Sequence, residues 1–419
     1  MRVLLLTTSF PPAVNSAARL FYELAQGLSR RGHHVTVLTS IPDRYVAERK
    51  PWYRRRPYTR ESVNGIRTHR VAGLPIPKGI PLLRGVEHFL VAYTYLLVGL
   101  LLGRHRAVIV YSPPLPLGLT GYLLSRLWRG PLVLNIQDLY PQTAIDLGLL
   151  RSRILIRISR RLERFLYRRA EAITVHSPGN REYVVGHGAP QNRVHVVPNW
   201  VDLEALRPGS RDGAFRATHQ LGNAFLVSYG GVMGFAQGME DVVEAASRLR
   251  DYPDVLFLLV GEGVARSALE RRVRELGLAN VRFMDTQPPE TYAQLLSASD
   301  ASLVTLRKEL RTPVVPGKLQ AIMAAGRPAI CSVPSDSDAA RLVQEAGCGV
   351  WVEAGCPDRL AEAVLSLHSD RALAEAMGRR GRAYAEAHFD QEGCIEQYHQ
   401  MLTGCRKQRD SRREHAKLP

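Results

Sequence analysis

Five cysteines in 419 residues, all between positions 331 and 405, are too few and too unevenly placed to staple a fold, and no two form a Cys-x-x-Cys pair. That excludes a disulfide scaffold and a zinc ribbon, and a reduced, cytosolic chain is expected. Long apolar runs are also missing. The stretch Phe89 to Leu102 is apolar all round but has only 14 residues. At ~1.5 Å per residue a helix of that length reaches about 21 Å, short of the ~30 Å hydrocarbon core, so it does not span. It suits a core helix or a partly inserted, monotopic anchor. The opening Met1-Arg-Val-Leu-Leu-Leu-Thr-Thr has too short an apolar run for a signal peptide and reads as a buried strand, so no export is expected. The first half lacks acid. Residues 1–205 hold 29 Lys and Arg against 12 Asp and Glu, whereas residues 206–419 hold 27 of each. The net charge of +17 therefore lies wholly in the first half. A field of that sign favours an anionic partner: nucleic acid, a phosphate-bearing substrate or an anionic membrane face.

With 45 % hydrophobic residues, the chain is long enough for two cores. Short apolar runs alternate with helical patterns, the signature of parallel sheet. In the first half the strands are Arg2 to Thr8, Val35 to Thr39, Ala107 to Tyr111, Leu132 to Ile136 and Ala172 to His176. In the second they are Phe225 to Tyr229, Val255 to Val260, Val281 to Met284 and Ala329 to Val333. Between them lie an amphipathic stretch from Ala18 to Arg30 and a basic amphipathic helix from Arg151 to Arg169. Residues 49–60 combine six cations, three aromatics and two prolines and read as an irregular loop. Its composition suits plain solvation, lipid headgroups or nucleic acid. The tail from Cys405 onward is charged and expected to be disordered.

The most informative stretch is Arg311-Thr-Pro-Val-Val-Pro-Gly-Lys-Leu-Gln-Ala-Ile-Met-Ala-Ala-Gly-Arg-Pro. Pro313 and Pro316 cannot sit inside a regular helix, so a helix is expected from Gly317 to Gly326, with Pro328 preventing continuation. Its first turn carries Lys318. Unpaired N–H groups, the positive end of the helix dipole and a lysine together make an outline for a diphosphate. Two further loops invite a close ligand: Pro11-Pro-Ala-Val-Asn-Ser-Ala-Ala-Arg19, small-residued before a helix, and Gly230-Gly-Val-Met-Gly-Phe-Ala-Gln-Gly238. Asp138 follows a strand at its carboxyl end, where open α/β sheets bind ligands, although such an Asp also serves as a turn cap.

Val-Pro ahead of Lys318 and Ala-Ala-Gly-Arg-Pro after it resemble the nucleotide-sugar segment of family 4 glycosyltransferases, enzymes of the GT-B fold. Val196-Val-Pro-Asn-Trp-Val-Asp202 resembles the link between GT-B halves, and Ser112-Pro-Pro-Leu and Gln137-Asp-Leu-Tyr-Pro look like the subgroup that builds surface polysaccharides on lipid carriers. The resemblance implies two Rossmann-like, doubly wound α/β domains facing a cleft. The bounds are 1–198 for the acceptor side and 199–395 for the nucleotide sugar, with a helix end and charged tail at 396–419. The activity implied is retaining transfer of a sugar from a nucleoside diphosphate, UDP ahead of GDP, to a lipid-linked saccharide. It would take place in the cytoplasm at the inner face of the cell membrane. Asp138 would orient the acceptor, and Ser16, Ala17 and Arg19 belong to the acceptor-side loop. Lys318, with Arg311, Gly317 and Leu319, would hold the diphosphate. Gly230, Gly231, Gly261, Glu262 and Met284 would hold the nucleoside end. No metal and no cofactor beyond the sugar nucleotide are implied, and no nucleic-acid partner. Asp336-Ser-Asp338 looks like a metal pair of another glycosyltransferase fold but sits where a helix cap is expected.

The chain departs from the family where two glutamates are usual, carrying Pro313 and Ala321 instead, and Gln237 stands where a basic residue is usual. Two alternatives therefore stay open, a catalytically degenerate partner protein and a UDP-sugar 2-epimerase on the same fold.

Overall fold

The computed structural model describes residues 1–42, 56–73 and 81–415, with the backbone alone in 81–86 and 407–415. The chain forms two compact units, one from Met1–Asn199 and the segment from Glu392 onward, the other from Trp200–Gln391.

The first unit opens with β1 (Arg2–Leu6), α1 (Ser16–Arg30), β2 (His34–Ser40), β3 (Tyr58–Val63) and β4 (Ile66–Val71). It continues with α2 (Pro81–Leu101), β5 (Ala107–Ser112), α3 (Leu115–Trp128), β6 (Leu132–Ile136) and α4 (Gln142–Asp146). Then come α5 (Arg153–Arg169), β7 (Ala172–Val175), α6 (Pro178–Gly186) and β8 (Val194–Val196). The sheet order is β3-β4-β2-β1-β5-β6-β7-β8, parallel throughout except for the β3–β4 pair. Central strands such as β1 and β6 are apolar because helices cover both faces. Strand order reverses between β1 and β5, which places the ligand-accepting crevice at the loops leaving their carboxyl ends.

Two expectations need correction here. Tyr58 to Arg60 are not loop but the start of β3, whose hairpin turns at Asn64 (φ 47°) and Gly65 (φ 85°). Positive φ at both turn residues matches the twist of the flanking strands. Arg56 and Pro57 are irregular, as expected, and residues 49–55 lie outside the described residues. The apolar helix is also longer than its apolar stretch, running from Pro81 to Leu101. It buries Ala92 and Tyr95 and exposes Phe89, Tyr93, Leu97, Leu100 and Leu101. Among the described residues no helix is long and apolar enough to cross a membrane.

The second unit contains α7 (Ala214–Thr218), β9 (Phe225–Gly230), α8 (Glu240–Arg248), β10 (Val255–Val260), α9 (Arg266–Glu275) and β11 (Val281–Met284). It proceeds through α10 (Pro289–Ala298), β12 (Ala301–Thr305), α11 (Gly317–Ala324), β13 (Ala329–Ser332) and α12 (Asp338–Ala346). It closes with β14 (Gly349–Val352), α13 (Pro357–Ser369) and α14 (Arg371–His388). Its six strands run β11-β10-β9-β12-β13-β14, all parallel, and the order reverses between β9 and β12. Buried Asp300 anchors the sheet, accepting from Arg211 (2.6 Å), Arg216 (2.7 Å), Arg371 (2.8 Å) and the N–H of Leu226 (2.7 Å). A buried carboxylate with that many donors is compensated for leaving water.

The last helix, α15 (Gln391–His415), belongs to the first unit and runs through residues that sequence composition suggested would be disordered. It buries Ile395, Tyr398 and Leu402. Asn135 of β6 donates to the Tyr398 hydroxyl at 2.7 Å, and Gly27 of α1 leaves room for Ile395, which a Cβ there would approach to 2.6 Å.

Candidate functional site

In the second unit the strand-order reversal singles out the loops after β9 and β12, and these carry the expected donor residues. β9 ends at Tyr229-Gly230, and Gly231 turns away with φ 144°. The loop after β10 lies against it backbone to backbone. Met233 N–H donates to the Glu262 carbonyl at 2.8 Å, and Ala265 N–H to that of Met233 at 3.0 Å. Only glycine permits this approach at Gly261 (φ 143°), where a Cβ would lie 1.9 Å from the Gly231 carbonyl oxygen. Gly230 is equally constrained, since a Cβ would meet the Tyr292 ring at 2.4 Å. Gly261 N–H donates to the carbonyl of Met284, the last residue of β11, at 2.9 Å. Gly230, Gly231, Gly261, Glu262 and Met284 thus line one continuous backbone surface.

α11 begins at Gly317 after Pro316, with no side chain capping its start and no acidic residue in its first turn. Lys318 reaches from that turn to β9, and its ammonium stands 3.8 Å from the centroid of the Tyr229 ring. A Cβ on Gly231 would be 3.4 Å from the same nitrogen. Tyr229 is held as a plate because its hydroxyl donates to the Val232 carbonyl at 2.7 Å. Although part of Lys318 is open to solvent, its ammonium end is enclosed by protein, and burial alone pushes its pKa down to about 7. No carboxylate pairs with it among the described residues. A cation held by a ring face, small-residue loops and a helix start is suited to receive anionic oxygens.

The other donor-side candidates divide. Leu319 is fully buried, and its backbone N–H already donates to the Pro316 carbonyl at 2.9 Å, so it does not present a donor to the site. Arg311 is exposed in the connection between β12 and α11. Glu262 is exposed and paired with Arg266, which also bonds Asp285 at 2.7 Å and the Gly261 carbonyl at 3.0 Å. Sequence reasoning missed Arg266, Tyr229 and Tyr292. The only signal for the tyrosine plate was an aromatic residue directly ahead of a Gly-Gly pair. Gln237 accepts from the Gly234 N–H at 3.1 Å, bracing its own loop, while Gln320 is buried. Asp336 and Asp338 flank Ser337, which caps α12 by accepting from Ala340 N–H. Among the described residues no group of three or more His, Cys, Asp or Glu is gathered as for a metal.

In the first unit, Asn15 caps α1 by accepting from Ala18 N–H at 2.9 Å, so Ser16, Ala17 and Arg19 occupy its first turn. Arg19 pairs with Glu23 at 3.1 Å. Asp138 follows β6, and its side chain reaches solvent. Protein crowding around it nevertheless raises its carboxyl above the usual range. Asp138 in turn helps burial lift the neighbouring Tyr111 hydroxyl. The adjacent Gln137 is fixed by paired amides with Asn199 at 2.8 and 2.9 Å.

Two family models match the chain, a glycosyl transferase 4-like domain over residues 16–200 and glycosyl transferases group 1 over residues 213–384. An Escherichia coli protein named as a colanic acid biosynthesis glycosyl transferase, WcaI, is 26 % identical over 417 residues, covering 96 % of this chain and 100 % of its own. A Mycobacterium tuberculosis protein named as a GDP-mannose-dependent alpha-mannosyltransferase is 25 % identical over 92 % of this chain and 93 % of its own. Among solved structures, a sucrose-phosphate synthase from Thermosynechococcus elongatus matches with a TM-score of 0.76 at 19 % identity, covering 96 % of this chain and 98 % of its own. Anabaena HepE, solved in complex with UDP-glucose, matches with a TM-score of 0.72 at 18 % identity, over 96 % of this chain and 100 % of its own. At these identities the structural matches speak for the fold.

Proposed function

Since the chain belongs to the family 4 glycosyltransferases of GT-B fold, we propose that it transfers a sugar from a nucleoside diphosphate, UDP in preference to GDP, to a lipid-linked saccharide during assembly of a surface polysaccharide. In that reaction the bond from the anomeric carbon to the diphosphate breaks, and the diphosphate leaves with the electron pair. An acceptor hydroxyl bonds to the same face of that carbon, with retention, and passes its proton to the departing diphosphate. Negative charge develops on the diphosphate. The observation that carries the reading is the Lys318 ammonium, poised over Tyr229 beside Gly231 with no carboxylate among the described residues to neutralise it. A preorganised cation at a developing charge is worth about 3–4 kcal/mol in the transition state.

Lys318, Arg311 and the backbone at Gly317 hold the diphosphate, and the surface from Gly230 to Met284 receives the nucleoside. Asp138 orients the acceptor, with Ser16, Ala17 and Arg19 beside it. The name of the Escherichia coli relative supports a polysaccharide pathway and the HepE complex supports UDP, whereas the Mycobacterium tuberculosis relative keeps GDP as the competitor. The basic first unit and the exposed apolar face of α2 support a cytoplasmic enzyme held at the inner membrane face.

Mass spectrometry of nucleotides that co-purify with the full chain tests the donor. Transfer to lipid carriers extracted from membranes tests the reaction, and Lys318→Ala is expected to lower kcat about 100-fold or more while the fold persists. Wild-type turnover in that variant would remove Lys318 from the site. Pro313 and Ala321 favour one rival, a protein that binds nucleotide without turnover. Donor binding with neither transfer nor hydrolysis would select it.

A further inference from the structure

The loops assigned to substrates leave the carboxyl ends of the strands. The opposite edge of the first unit's sheet, at the amino-terminal ends of β1, β2 and β4, has an organisation of its own. Two adjoining cavities of about 370 and 540 Å³ open there and share Thr36 and Arg67. Arg2 and the adjacent residues His33 and His34 line the first, and Arg60 lines the second. Among the described residues no Asp or Glu lines either one. Arg2, Arg60 and Arg67 are exposed, and none forms an ion pair among the described residues. The local field is positive enough to register on nearby histidines. His69 is pushed down to about 4 by burial and then by Arg60 and Arg67, and His105 to about 4 by burial with Arg2 and Arg67 contributing.

The far wall of the larger cavity is apolar, made of Val98, Leu101 and Leu102 at the end of α2. Leu101 is 86 % exposed, and Leu97, Tyr93 and Phe89 continue outward from it along the helix at four-residue spacing. An unneutralised cationic recess that runs into an exposed apolar stripe is complementary to an amphiphile with an anionic head. A soluble phosphate would use the arginines and leave the stripe uncovered.

We propose that this double cavity is a binding site for the headgroup of an anionic phospholipid, its phosphate among Arg2, Arg60 and Arg67 and its glycerol and upper acyl chain against Val98, Leu101 and Leu102. The inference rests on the membrane part of the proposed function and adds a defined site to it, on the edge of the sheet away from the transfer chemistry. Binding there seats the first unit on the bilayer while leaving the substrate loops free.

The test is flotation of the full chain with vesicles of phosphatidylcholine alone or mixed with phosphatidylglycerol. Wild type is expected to float with the mixed vesicles only. Arg60→Gln combined with Arg67→Gln should weaken that binding about 30-fold, two cations' worth at a membrane surface. Leu101→Ser should weaken it as well. Arg271→Gln with Arg274→Gln, exposed on α9, removes the same charge elsewhere and should change it little. All variants should keep their melting temperature and their transfer rate on a water-soluble acceptor. If the two double variants lose binding equally, the site is refuted in favour of a general field. If Leu101→Ser binds like wild type and glycerol 3-phosphate displaces the vesicles at low millimolar concentration, the lipid assignment is refuted in favour of a soluble anion. If wild type floats with neither vesicle, the membrane reading itself fails while the transfer reaction stands on its own assay.

Discussion

Lys318 is one of six lysines in a chain with 56 Lys and Arg, and its chemistry differs from that of an arginine in the same place. A guanidinium stays charged at any accessible pH, whereas an enclosed ammonium can give up its proton. Its pKa falls from 10.5 to about 7 on folding, so between those values the unfolded chain holds a proton that the folded chain has released. Stability therefore rises with pH across that window, and below pH 7 the full cost of the buried charge is present. Lys318→Met should raise the melting temperature relative to wild type, most at pH 7 and below and least near pH 10. A diphosphate bound beside it, as proposed, is expected to restore the charge. UDP binding at pH 8 should take up a proton, visible as a calorimetric enthalpy that varies with the buffer's ionisation enthalpy, and affinity should fall from pH 7 to 9. Equal enthalpies in all buffers would place the ammonium outside the diphosphate's reach. Gly261 makes a sharper test of geometry. Gly261→Ala drives a Cβ into the Gly231 carbonyl at φ 143° and should cost on the order of 3–5 kcal/mol with loss of nucleotide binding. Gly277→Ala, at φ 63° with open space around it, should cost about 1–2 kcal/mol and leave binding intact. Denaturant melts of the two variants decide the point.

Among the elements, α11 was the most legible, because proline before it and Gly326-Arg-Pro after it act through local backbone geometry that needs no tertiary partner. Its observed span, Gly317–Ala324, differs from the expected one only at the final turn. The buried strands β6, β10 and β11 were legible for the same reason, as short apolar runs between turn signals. The β3–β4 hairpin was not, although Asn64-Gly65 is a strong turn dipeptide. The arginines and aromatics around Tyr58 made an edge strand look like loop, and an edge strand needs only one apolar face. Nor did any local pattern disclose which unit α15 would join, because that depends on Gly27, Asn135 and Thr174, more than 200 residues away in sequence. These contacts make a prediction. Tyr398→Phe removes the partner of the Asn135 amide and the Thr174 hydroxyl and should cost about 1–3 kcal/mol. Gly27→Leu, forcing α15 away from α1, should cost more. Hydrogen exchange should locate both losses in α1 and α15, and protection lost in β9 instead would contradict the assignment of the helix to the first unit.

For the molecule as a whole, charge is the property most fully readable from sequence, since counting residues needs no coordinates. The excess of 17 positive charges in residues 1–205 predicts that release from anionic vesicles follows salt, with binding weakened between 50 and 300 mM as the screening length falls from ~14 Å to ~6 Å. Binding unaffected by salt would leave the apolar face of α2 as the sole attachment. The candidate site was legible only in part. The sequence pointed to Lys318 and the glycines, but not to the Tyr229 plate beneath the ammonium or to the enclosure that tunes its proton, because both arise from packing across strands. The chain's path has a consequence of another kind, in the timing of synthesis. The second unit is an insertion within the first, which leaves at Asn199 and resumes at Glu392. As the polypeptide emerges, residues 200–391 hold a complete sheet and core while the first unit still lacks α15, the helix that covers Gly27 and supplies Tyr398. The amino-terminal unit is therefore completed only after the second, and the face that α15 covers stays open through the translation of nearly two hundred residues.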